Sequence, residues 1–68
     1  MYQNIIFEKE SKEDGLKVEV NARLAGNFDV AYIDTDAEQV IDVRLYDDQD
    51  KAIAYAQSLA DSWREVEQ

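Results

Sequence analysis

The residues with chemistry to offer in this chain are carboxylates. Asp34, Asp36, Glu38, Asp42, Asp47, Asp48 and Asp50 fall within one short stretch, with Arg44 and Tyr46 among them. Acids spaced this closely suit four tasks. They can hold a cation, or share a proton so that one works as a general acid. They can meet Arg and Lys of a protein partner, or stand in for the phosphates of a nucleic acid.

The first two tasks are poorly served. Asp34-Thr35-Asp36-Ala37-Glu38 opens like an EF-hand loop, but such a loop needs Gly at its sixth position and Glu at its twelfth. This chain has Gln39 and Leu45 there. The chain also has no His and no Cys, which removes the usual zinc and copper ligands and the commonest nucleophile–base pairs. Ser11, Ser58 and Ser62 lie in no nucleophile elbow. Gly15 and Gly26 are too few for a phosphate cradle. Acid–base pairs need burial to separate their pKa values, and Asp47-Asp48 reads as solvated. The sequence therefore predicts a protein that is not an enzyme and that takes no metal or cofactor.

Three readings of the acids remain open: solvated turns and a helix cap, a dock for basic side chains, or phosphate mimicry. The whole chain carries a formal charge of −9, and the excess is uneven. Residues 1–33 hold six acids and four bases, whereas residues 34–68 hold ten acids and three bases. Such a surface repels nucleic acid and anionic lipid, and it favours partners with basic surfaces. It also keeps a small domain hydrated.

The elements that must position these groups follow from the hydrophobic pattern. At 68 residues the chain is one domain, and a hydrophobic content of 46% argues for a folded core despite the charge. Residues 2–8 read as a first strand, and Asp14-Gly15 marks a turn. Leu16 to Leu24 alternates, with Leu16, Val18, Val20, Ala22 and Leu24 on one face. Phe28 to Asp34 is a third strand, with Phe28, Val30 and Tyr32 on one face and Ala31 and Ile33 on the other. Gln39 to Tyr46 is a fourth. There the pattern predicts Ile41, Val43 and Leu45 inward and Asp42 and Arg44 outward. Short connections favour antiparallel pairing.

Asp47 is the expected helix N-cap, with Asp50 completing a capping-box-like pattern. Ala52, Ala56, Leu59 and Trp63 share one line of the helix, flanked by Ile53, Tyr55, Ala60 and Val66. Gln57, Ser58, Asp61, Ser62, Arg64 and Glu65 fill the opposite arc. The fold class is α+β: a four-stranded antiparallel sheet with one C-terminal amphipathic helix on one face. One helix leaves the second face open, and Tyr2, Ile6, Ile33 and Val40 are expected there or along an edge. A contiguous group of that kind marks a partner surface. The N-terminus has no basic residue and no long apolar run, so a cytoplasmic location is expected, without membrane contact.

The stretch Val40-Ile-Asp-Val-Arg-Leu-Tyr46, followed by Asp47 through the Ala-rich segment to Trp63, resembles small phage-encoded anti-CRISPR inhibitors built as a sheet plus a helix. That resemblance implies a non-enzymatic protein that blocks a bacterial defence complex by occupying a nucleic-acid-binding or recruitment surface. It implies no residue roles. Combined with the charge, it points to a stoichiometric inhibitor. Asp34, Asp36, Glu38, Asp42, Asp47 and Asp48 are then the candidate partner-binding acids. Tyr46 is the candidate aromatic anchor, and Arg44 either pairs with Asp42 or touches the partner. The alternative is an interaction module that is a homodimer, joined through the open face or by edge strands. That would offset a small core.

Overall fold

Alternating β-branched and aromatic residues build four strands in this chain, and a run of helix formers closes it. The computed structural model describes residues 4–67, with side chains through Trp63. The elements are β1 (Asn4–Ser11), β2 (Leu16–Ala22), β3 (Phe28–Asp34), β4 (Gln39–Tyr46) and α1 (Gln49–Glu67). The strands form one antiparallel sheet in the order β1-β2-β3-β4, so β1 and β4 are its edges. Tyr2 and the side chains of Arg64, Glu65 and Val66 lie outside the described residues.

Cross-strand partners share a face of a sheet, so the register sorts the side chains. Val20, Val30 and Arg44 are in line across β2, β3 and β4, as are Val18, Tyr32 and Asp42. These form the face under the helix. Val18, Val20 and Val30 are buried against Ala52, Ala56 and Trp63. The two alanines are fully buried, and their small side chains let the helix axis sit close to the central strands. Trp63 stacks on Tyr32 with ring centroids 6.4 Å apart, and its indole N–H donates to the Tyr32 hydroxyl at 3.3 Å. That contact fastens the far end of the helix to β3.

Several boundaries and facings differ from the sequence reading. β1 runs on to Ser11, because Glu8, Lys9 and Glu10 still pair with β2 despite their charge. Ile6 lies along an edge, on β1, as one of its two expected placements had it, and a register shift after Ile5 leaves it packed against the core with Phe7. β2 stops at Ala22. Residues 23–27 turn back on themselves through Arg23 and Asn27, which leaves Leu24 at the tip and 85% exposed. The helix cap is Asp48, not Asp47: its carboxylate accepts the Asp50 N–H at 2.8 Å.

The main correction concerns β4. Asp42 and Arg44 face the helix side, while Val43 and Leu45 face the open side. The guanidinium of Arg44 lies 5.0 Å from the Tyr55 ring centroid on α1, which fixes its side independently. The cause is local. Val40 pairs with Ile33 and Asp42 with Tyr32, so Ile41 is the extra residue of a bulge, and one extra residue inverts every side chain beyond it.

Ala56→Leu is expected to destabilise the fold by about 1–3 kcal/mol through overpacking. Urea unfolding followed by Trp63 fluorescence checks this.

Candidate protein-binding surface

The seven candidate partner-binding residues do not form one patch. Asp34, Asp36 and Glu38 sit at the β3–β4 turn, while Tyr46, Asp47 and Asp48 sit at the other end of β4. At about 3.3 Å per residue, the strand separates the two groups by roughly 25 Å.

Most of these side chains already have local work. The Asp34 carboxylate accepts the N–H groups of Asp36 and Ala37, both at 3.1 Å, and so holds the turn. Glu38 follows in the left-handed region, with φ of 55°. Asp36 lies over Gly15 in the neighbouring β1–β2 turn, and the Thr35 N–H donates to the Gly15 carbonyl at 2.9 Å. Asp42 accepts from Arg44 Nε at 3.3 Å. That hydrogen bond, with a smaller contribution from Tyr55, raises the Arg44 pKa. Tyr46 is half-buried and packs on Tyr55, with centroids 5.9 Å apart, so its ring is committed to the fold. Asp48 caps the helix, and Asp47 is exposed beside it.

The open face of the sheet is organised differently. Its β3–β4 half is apolar: Ala31, Ile33, Val40, Val43 and Leu45 share it by register. Val40, Val43 and Leu45 are 56%, 52% and 59% exposed. Ile33 and Val40, expected on the uncovered side, are direct cross-strand partners there. Its β1–β2 half is charged apart from Ile5, which shares the face and is 52% exposed. Glu8 and Glu19 lie opposite each other, and Lys17 bridges them at 2.8 and 3.0 Å. The hydrogen bonds that the Lys17 ammonium donates, first to Glu8 and then to Glu19, hold it well above the ordinary lysine pKa. Asn21 and Asp29 are buried between the two halves. The Asn21 amide donates to Asp29 at 2.9 Å, and Arg23 approaches the other carboxylate oxygen at 3.4 Å.

The open face thus sets a strip of exposed aliphatics beside a strip of carboxylates. The sequence reading missed Val43 and Leu45 as surface residues because it assigned them to the core. The bulge that overturns that assignment has no sequence signature of its own.

Other sites offer less. Among the described residues, no group of three or more His, Cys, Asp or Glu side chains is arranged to hold a metal ion. A groove of about 280 Å³ lies between the end of β1 and α1, lined by Lys9, Glu10, Gln57 and Trp63 among others. Its one hydroxyl, on Ser11, is hydrogen-bonded to Asp14 at 2.9 Å. Among the described residues, no helix is long and apolar enough to cross a membrane. No family model, curated protein or solved structure matches the chain.

Two substitutions probe this surface and the turns that frame it. Gly15→Ala is expected to cost more than about 1 kcal/mol in thermal or urea unfolding. Gly15 has φ of 68°, and an added Cβ would meet the Asp36 carboxylate. Lys17→Gln is expected to cost about 0.5–1 kcal/mol, because it leaves Glu8 and Glu19 facing each other across the strands. The raised pKa gives the sign of the pH dependence. This contribution is complete below the ordinary lysine value and fades as pH climbs through the higher folded one. Urea titrations of both chains at neutral and alkaline pH measure the difference.

Proposed function

We propose that this chain is a non-catalytic protein-binding inhibitor that works by occlusion, docking with the open face of its sheet. The observation that carries the reading is the division of that face into an exposed apolar strip on β3–β4 and an acidic strip on β1–β2. The apolar strip supplies contact area, and the carboxylates select a target with basic groups beside an apolar patch. The net charge of −9 speeds encounter with such a target.

Nucleic-acid-binding proteins carry surfaces of that chemistry. The anti-CRISPR inhibitors that residues 40–63 resemble act on surfaces of this kind, so the partner we propose is a bacterial defence complex in the host cytoplasm. The acids at the two ends of β4 then act over distance, on the rate of encounter, while Glu8, Glu10 and Glu19 make the contact.

The test is a panel of purified RNA-guided defence complexes, each assayed for target-DNA binding with this chain in molar excess. At least one complex should lose DNA binding. Ala31→Arg, in the middle of the open face, should restore it, and Glu10→Lys should weaken the inhibition. Inhibition indifferent to Ala31→Arg would show that another surface docks, and a panel without any inhibited complex would remove the proposed class of target.

A further inference from the structure

We infer that β4 is a self-pairing edge, and that two copies of this chain join antiparallel through it into a continuous eight-stranded sheet centred on Val43. This is independent of the inhibitor reading, since it uses the outer edge of β4 rather than the open face.

Three observations point to it. First, β4 is exposed from Gln39 to Leu45, and nothing among the described residues pairs its outer edge. Ile41, in the bulge, is as exposed as its aliphatic neighbours at 53%. A long aliphatic edge left open is a template for another strand. Second, the two edges differ. β1 carries Glu8, Lys9 and Glu10, charges of the kind that guard an edge, whereas the exposed charges of β4, Asp42 and Arg44, offset one another.

The third observation selects the occupant. Around Val43 the strand is complementary to its own reverse. With Val43 opposite Val43 of the second copy, Asp42 lies opposite Arg44, Arg44 opposite Asp42, and Ile41 opposite Leu45. The two ion pairs of this register are identical, as a twofold axis requires. Sliding the strands by one residue pair in either direction sets Asp42 opposite Asp42, or Arg44 opposite Arg44. Like charges directly opposite are unfavourable, so charge selects the centred register. In it, both helices lie on the same side of the sheet, because paired residues share a face. The two apolar strips of the open faces then adjoin, with the acidic strips outermost.

The same register brings the acids at the ends of β4 near those of the second copy, since Glu38 approaches Asp48. Added salt should therefore strengthen the dimer, the reverse of its effect on binding to a basic target. That difference separates failure of this inference from failure of the inhibitor reading.

Sedimentation of the full chain across micromolar to near-millimolar concentrations, at low and moderate salt, should show a monomer–dimer equilibrium that salt favours. Asp42→Arg alone and Arg44→Asp alone should each weaken it roughly tenfold or more. An equal mixture of those two chains should restore dimers, since each acid again meets a base. The chain has no cysteine, so Val43→Cys introduces a single thiol on the dyad. Mild oxidation should link that chain to itself far faster than it links the Leu45→Cys chain, whose thiols lie apart. A monomer throughout the range would overturn the inference. So would a dimer indifferent to both charge reversals, or equal cross-linking of the two cysteine chains; either would place the contact on the open face or elsewhere.

Discussion

A helix about 10 Å across can cover roughly two strands spaced 4.8 Å apart, and this sheet has four. The rest of the molecule follows from that mismatch. Ala52 and Ala56 bring α1 down onto β2 and β3, where Val18, Val20 and Val30 are sealed. β1 and β4 lie at the margins. The first is screened by its charges, and the second keeps its aliphatic residues in water. One helix thus fixes both where the core is and which strand stays available.

The fold was legible because its signals were redundant. Strands β3 and β4 end where their alternation ends, and the line Ala52, Ala56, Leu59, Trp63 packs inward as helical spacing requires. What failed depended on facts that spacing does not encode. Leu24 continues the alternation of β2 but belongs to a turn closed by Arg23 and Asn27. The capping-box spacing points to Asp47, three residues before Asp50, but either of two adjacent aspartates can cap, and the helix begins at Gln49, directly after Asp48. The facing of β4 inverted at a single bulged residue. That inversion also changed the candidate site: it turned Asp42 and Arg44 to the helix side, with Arg44 over Tyr55, and exposed Val43 and Leu45.

The negative charge has a different character in three dimensions than along the chain. Asp34, Asp36 and Asp48 serve backbone N–H groups or close turns, so part of the acidity is structural. Their carboxylates still contribute to the long-range field, which falls off over about 8–10 Å in physiological salt. Glu8, Glu10 and Glu19, which the register sets on the open face, lie outside the segment where the sequence concentrates its charge.

The buried pair of Asn21 and Asp29, with the exposed Arg23 reaching the same carboxylate, keys the central hairpin to one frame. Shifting β2 along β3 by a residue pair would set Glu19 against Asp29 in one direction, or leave the Asn21 amide facing the methyl group of Ala31 in the other. Slipping by a single residue would drive that amide into the valine layer beneath the helix. Valine-rich strands tolerate many alignments, and this chain has neither proline nor disulfide to forbid them. A polar lock of this type contributes uniqueness more than raw stability. It ensures that every copy of the molecule displays the same outer pattern.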